Sequence, residues 1–256
     1  MSFKKILSAT FFACLLFISS TAFAQFEGQV TLKLYGDDDQ GNSKISTLNL
    51  YATSQRIILK GEEQYSFMDG AYDASGLLIR NDKLDFIILM GENEALQFTK
   101  SELEGVFDMF AGLSGDDVDV DVNDNDINAN FTYTNKTRTI KGYDCTELLI
   151  TNEENDNTVS IWLTSGIDIN WGMLAEPWKN VPGDMRDPAQ RLTQEFKSKN
   201  FPMLIEVHED GATKKVMEVS NVNKSAIAKA MVEIPPNTEI VGLSEILFKM
   251  MMNSNR

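Results

Sequence analysis

Period-two alternation of apolar and polar residues dominates the chain from Phe26 onward. Phe26, Val30, Leu32 and Leu34 fall on one face of an extended segment, with Gln29, Thr31 and Lys33 on the other. Comparable runs follow at Ile45 to Tyr51, Arg56 to Lys60, Tyr65 to Met68, Leu77 to Arg80, Leu84 to Met90 and Ala95 to Thr99. Turn-forming clusters separate them, among them Gly36 to Asn42, Asp69-Gly70, Asn81-Asp82 and Gly91-Glu92-Asn93. Strands this closely spaced leave no room for crossover helices, so the pattern predicts an antiparallel meander.

A second β series starts with Asn130 to Thr134, Thr137 to Lys141, Tyr143 to Thr151 and Thr158 to Thr164. Met203 to His208 and Lys214 to Ser220 flank Glu209-Asp210-Gly211-Ala212, a hairpin signal, and Met231 to Ile234 is expected to close the series before Pro235-Pro236. Helical spacing is confined to three places. Ser101 to Gly112 carries Leu103, Val106, Phe107 and Phe110; Asp187-Pro188-Ala189-Gln190 reads as a capped helix start, followed by the stripe Ala189, Leu192 and Phe196. Leu243, Ile246, Leu247, Met250 and Met251 line one side of a terminal helix. Stripes of this kind bury against the parent sheet. The expected fold class is mainly β (α+β): a curved antiparallel half-barrel with a few helices packed on its concave side.

The N-terminus has a different rhythm. Lys4 and Lys5 precede an apolar run from Ile6 to Ile18, and Ala22-Phe23-Ala24 places small residues where a signal peptidase cuts. The reading is a cleaved signal peptide over residues 1–24, with cleavage before Gln25 and a periplasmic or secreted destination. The run falls short of the ~20 apolar residues a bilayer span needs, so no transmembrane span is expected after cleavage. Residues 25–256 then read as a single domain with an acidic loop near 114–130, where six aspartates stand among no aromatic residue.

The formal charge of −15 argues against nucleic acid, because phosphate binding needs a concentrated positive face. Removing the leader deletes two lysines and no acid, leaving the mature chain more acidic still. It also leaves one cysteine, Cys145, so no intramolecular disulfide can form and the core alone must hold the fold.

Candidate chemistry is sparse. Asp117, Asp119 and Asp121 place oxygen ligands at alternate positions, a calcium-like spacing, but the glycine and glutamate of an EF-hand loop are missing; a charge-protected edge strand or solvated loop is the competing reading. His208 is the sole histidine, so it has neither a second histidine nor a mature-chain cysteine partner beyond Cys145 to build a zinc site, and no Gly-x-Ser-x-Gly elbow accompanies it. Cys145 reads as a buried, inert thiol. No catalytic residue, metal or cofactor is assigned, and the expectation is that the protein is not an enzyme. The stretch Trp171 to Trp178 is the most informative irregular segment. Its aromatic and aliphatic side chains are costly to leave in water, so they either plug the core or line an apolar cavity.

Lys136 to Thr151 resembles the K-x-I-x-G-Y-x-C segment of an uncharacterised family of secreted bacterial domains, themselves similar to the periplasmic lipoprotein carriers (LolA/LolB-like half-barrels). Ser160 to Thr164 is similar to that family's v-W-l-T strand. Phe201 to Glu206 and Val232 to Asn237 resemble its closing strands, although Val232 and Asn237-Thr238 depart from the F-x-x-P-x-G-Y element. The resemblance is strongest in the C-terminal half. It implies a curved half-barrel enclosing an apolar cavity, which in the carriers accepts acyl chains. The resulting expectation is a non-catalytic binding or carrier-type protein taking a lipid, acyl chain, apolar peptide or lipidated partner. Trp171, Met173, Leu174, Trp178, Leu192 and Phe196 are its candidate ligand-binding residues. The alternative is a structural or interaction component of the cell envelope with a filled core and no ligand.

Overall fold

The computed structural model describes residues 25–37, 41–67, 72–91, 93–113, 129–152, 158–179, 190, 191, 193–198, 200–209 and 211–253. The expected leader, residues 114–128 of the acidic loop and the helix start at Asp187 lie outside them.

Among the described residues, twelve strands form one open, curved sheet. The first six are β1 (Gly28–Asp37), β2 (Ser43–Ala52), β3 (Arg56–Phe67), β4 (Tyr72–Arg80), β5 (Asp85–Met90) and β6 (Glu94–Thr99). The others are β7 (Ala129–Ile140), β8 (Tyr143–Asn152), β9 (Thr158–Thr164), β10 (Phe201–Glu209), β11 (Ala212–Lys224) and β12 (Glu239–Gly242). Across the sheet they run β7-β8-β9-β10-β11-β1-β2-β3-β4-β5-β6-β12. The first strand therefore sits mid-sheet, between two meanders that spread outward from it.

Two sequence expectations are modified. Arg56 to Lys60 and Tyr65 to Met68 merge into β3, and the two runs before Tyr143 merge into β7; register shifts at Lys60/Tyr65 and Tyr133/Thr137 mark bulges where the pattern had broken. Met231 to Ile234 is not a strand. Lys229–Val232 forms a 3-10 turn, and the edge position goes to β12, which runs parallel to β6 with Glu239 opposite Glu94. Pro235 and Pro236 lack the backbone donors a ladder needs, which keeps the preceding segment off the sheet edge. One parallel pair thus ends an otherwise antiparallel sheet.

Alternation along β3 to β6 divides their side chains between two faces. Ile57, Ile79, Phe86, Leu96 and Phe98 point into the main core on the inner, concave face. Ile58, Leu78, Ile87, Leu89 and Ala95 form a second apolar cluster on the outer face, covered by Ile227, Val232 and Ile234. Leu103 and Val106 of the first helix (Lys100–Leu113) pack on the inner face. So do Phe196 of a helical turn over 193–197 and Leu243, Ile246 and Leu247 of the terminal helix (Leu243–Asn253). Each fully buried aliphatic side chain contributes about 1.5–3 kcal/mol.

Cross-strand register carries the inner face over the rest of the sheet. Tyr133, Leu148, Ile161, Ile205, Met217 and Leu34 stand opposite one another in sequence across β7 to β1. The adjacent row, Glu147, Trp162, Leu204, Glu218 and Lys33, alternates with it, and its Trp162 and Leu204 are buried within the main core cluster.

Candidate functional site

Residues 166–179 cross the inner face as irregular chain, and polar contacts fix their path. Asn81 Nδ2 donates to the Asn170 carbonyl at 2.9 Å, and Asn81 Oδ1 accepts the Met173 N–H at 3.3 Å. Asn170 Nδ2 in turn donates to the Ser54 carbonyl at 2.7 Å. Gly172 has φ +48°, and a Cβ there would fall 2.0 Å from Asn81 Oδ1, so this crossing requires glycine. The chain then turns through a short 3-10 helix, Gly172–Ala175.

That turn drives Trp171 and Met173 inward, to 7% and 3% exposure. Trp171 stacks on Phe196 with ring centroids 4.0 Å apart, and lies nearly parallel to Phe201 at 6.2 Å. Trp178 belongs to a second aromatic group. Its ring meets Phe86 at 6.0 Å, and Phe86 stacks on Phe98 at 5.4 Å. Lys100 Nζ sits 5.1 Å from the Trp178 ring centre and donates to the Pro177 carbonyl at 2.6 Å. Leu174 packs against the same core. Five of the six candidate residues are therefore gathered, in two aromatic groups; Leu192 lies outside the described residues. The Trp171 Nε1 donor is buried and has no hydrogen-bond partner among the described residues, a condition that costs roughly 1–3 kcal/mol. Cavities of about 330 and 140 Å³ open elsewhere, near Pro235 and near Tyr35, and neither is lined by a tryptophan.

On the outer face of β7 to β11 a polar group lies beside the buried Trp162 and Leu204. Glu147, 2% exposed, accepts from Thr134 Oγ1 at 2.7 Å, Ser160 Oγ at 2.9 Å and Lys136 Nζ at 3.0 Å. Burial pushes its carboxyl up, but these three donors outweigh burial and hold it below the usual carboxylate range. Ser160 Oγ also lies 3.0 Å from His208 Nε2, and His208 Nδ1 lies 2.9 Å from Thr213 Oγ1. With its one proton on Glu147, Ser160 accepts from His208 Nε2. That leaves Nδ1 to accept from Thr213. A serine beside a histidine suggests nucleophilic chemistry, but this hydroxyl is 2% exposed and committed to a carboxylate. Trp162 Nε1 donates to Glu206 at 3.1 Å, with the Arg138 guanidinium 5.6 Å from its ring centre. Cys145 is buried, and burial pushes its thiol up, away from the reactive thiolate. Among the described residues no three His, Cys, Asp or Glu side chains gather as a metal site. Asp117, Asp119 and Asp121 lie outside those residues.

The profile of a domain of unknown function, DUF4412, matches residues 26–238. The chain belongs to the DUF4412 family. The match spans both halves, beyond the C-terminal segments that carry the sequence resemblance. No curated protein matches the chain. Among solved structures, PNGF-II in a C2 crystal form is 14% identical over 88% of this chain, with a TM-score of 0.40. This chain spans only 32% of the PNGF-II chain. MucB in complex with MucA(peri) is 11% identical over 84% of this chain and 57% of its own, with a TM-score of 0.39. A LolA superfamily protein from Nitrosomonas europaea is 13% identical over 83% of this chain and 92% of its own, with a TM-score of 0.30.

In this DUF4412 chain the contacts that sequence reasoning missed are long-range. His208 meets Ser160 because β9 and β10 pair with Thr158 opposite His208, and Phe201 reaches Trp171 from the start of β10. From sequence, the two tryptophans with Met173 and Leu174 are visible as costly apolar residues in an irregular stretch.

Proposed function

We propose that this DUF4412 domain is a non-catalytic, exported binding module. It holds an apolar ligand, a lipid, acyl chain or lipidated partner, between the inner face and the segment from Trp171 to Trp178. The supporting observation is Trp171: a stacked, buried indole whose N–H has no acceptor among the described residues. An ester or amide carbonyl of a ligand would satisfy that donor. Its chain would displace Phe196 and gain about 25 cal/mol for each Å² of apolar surface removed from water. Met173, Leu174 and Trp178 would complete the lining. No helix among the described residues is long and apolar enough to cross a membrane, so in this reading the cargo and not the protein meets lipid.

A second reading, an envelope interaction component with a filled core, is favoured by the 4.0 Å Trp171–Phe196 stack and by cavities that open away from it. Native mass spectrometry of protein purified from its own host separates the two. The carrier reading expects an added mass of a lipid or acyl species. It also expects less retention in Trp171→Phe, which keeps the stack and removes the N–H. Bare protein that takes up no acyl probe supports the filled core instead.

A further inference from the structure

Glu195 and Phe196 stand side by side in the helical turn over 193–197, and each makes a contact far from its own place in the chain. Phe196 stacks on Trp171, with ring centroids 4.0 Å apart. Glu195 is 7% exposed, an unusual depth for a carboxylate, and three side chains answer its charge. Tyr133 Oη and Asn200 Nδ2 donate to Oε2, the latter at 2.8 Å, and Arg191 Nε lies 3.3 Å from Oε1. Asn200 Nδ2 also donates to Tyr133 Oη at 3.1 Å, which closes the three groups into a ring. The Arg191 guanidinium lies over Phe131 and Tyr133, 4.9 and 5.7 Å from their ring centres.

These contacts tie the turn to one place on the sheet. Phe131 and Tyr133 belong to β7, beyond which no described strand lies, and at its other end the turn runs through Asn200 straight into β10 at Phe201. Asn200 N–H donates to the Glu195 carbonyl at 3.0 Å, and Ser198 N–H to that of Gln194 at 2.9 Å. Burial and the bond to Glu195 push the Tyr133 hydroxyl up to about 12, so it keeps its proton, and its role as donor, across the neutral range. A closure made this way is conditional. A buried carboxylate is stable only with its partners in place, and it regains water if the turn lifts. Phe196 and Tyr133 are both partly exposed, so neither ring is locked beneath the sheet.

We infer that Glu195 is the latch of the apolar site. Held by Tyr133, Asn200 and Arg191, it keeps Phe196 seated on Trp171; ligand enters when the latch releases and the turn lifts about Asn200. The inference rests on the binding role proposed above for Trp171, but the latch itself is testable without any ligand.

Tyr133→Phe removes one donor and keeps the ring, and Glu195→Gln keeps the shape and removes the charge. In both, hydrogen exchange at the Ser198 and Asn200 amides should quicken about tenfold, while β2 and β3 exchange as in the wild type. Acrylamide should quench tryptophan fluorescence more strongly, an increase that vanishes when Trp171→Phe is added. In Phe196→Ala the indole is already uncovered, so adding Tyr133→Phe should bring no further quenching. Calorimetric titration with dodecanoate separates the latch from the binding role. Uptake about tenfold tighter in Tyr133→Phe than in the wild type is expected, because the shut state no longer holds the ligand out. Faster exchange and stronger quenching with no uptake by either protein would support the latch and refute the binding role. Three results overturn the latch: quenching unchanged in both variants, exchange that quickens equally in β2 and β3, or dodecanoate bound equally tightly by wild type and Tyr133→Phe.

Discussion

Across β3 to β6 the outer face carries Ile58, Leu78, Ile87, Leu89 and Ala95, whereas across β7 to β10 the same face carries Glu147, Ser160, Trp162 and Glu206. The apolar flank needs a roof, and residues 225–234 supply it. Arg56 fastens that roof: Nη1 donates to the Val232 carbonyl at 3.2 Å and pairs with Glu233 at 2.6 Å, while Nη2 pairs with Asp82 at 2.7 Å. On the same flank Arg80 and Asp85 are buried together, with Nε to Oδ1 at 2.7 Å and Gln97 Nε2 donating to Asp85 Oδ2 at 2.7 Å. The polar flank needs no roof, because its buried acids find donors sideways along the sheet. One sheet thus solves the second-face problem twice, by covering it and by cross-linking it.

The largest expected effect tests the covered flank. Asp85→Ala strands the Arg80 guanidinium without its partner and should cost about 3–5 kcal/mol in urea denaturation. Glu206→Ala on the open flank should cost only about 1 kcal/mol, since Arg138 is half exposed to water. Equal losses would erase the distinction between the flanks.

Arg56→Met should come next, at about 2 kcal/mol. Hydrogen exchange should quicken in residues 225–234 and stay unchanged in β7 to β10. Hydrogen bonds from Arg56 hold Asp82 and Glu233 below the usual carboxylate range. Lowered folded values mean that their stabilisation is present at neutral pH and is lost as acid protonates them. The wild-type roof should therefore loosen below the ordinary carboxylate range, and the Arg56→Met roof should lack that acid step.

The smallest effect sharpens the open flank. Ser160→Ala removes a donor to Glu147 and should cost about 1 kcal/mol. The Glu147 carboxyl should then titrate at higher pH by NMR, because one of the bonds that lowers it is gone. An unmoved titration would mean that Thr134 and Lys136 suffice.

Single-sided burial is what alternation reports, and β1, β2, β8 and β9 were legible for that reason; Thr158–Thr164 has the expected bounds. The second apolar face was written differently, as the unbroken runs Leu77 to Ile79 and Phe86 to Met90, which identify strands without saying that both sides are covered. The covering segment reads as a strand because Met231 to Ile234 has strand-like composition, but it folds as a 3-10 turn. Its role depends on Pro235-Pro236 and on an outer cluster more than a hundred positions earlier in the chain. At the candidate site, the aromatic stretch was legible from composition. Its division into two stacks was not, since Phe86, Phe98 and Phe201 are brought there by strands distant in sequence.

The central place of β1 has a kinetic consequence. One neighbour, β2, follows within a hairpin, but the other is β11, and Ser220 Oγ reaches the Thr31 carbonyl across 189 positions. A chain that emerges N-terminus first can build β1 to β6 early. It must then keep one long edge of β1 open until nearly all remaining residues have arrived. Such distant pairing makes for slow closure. The unclaimed edge is meanwhile available to any other extended chain, which makes the interval before β11 docks the moment of greatest risk of aggregation.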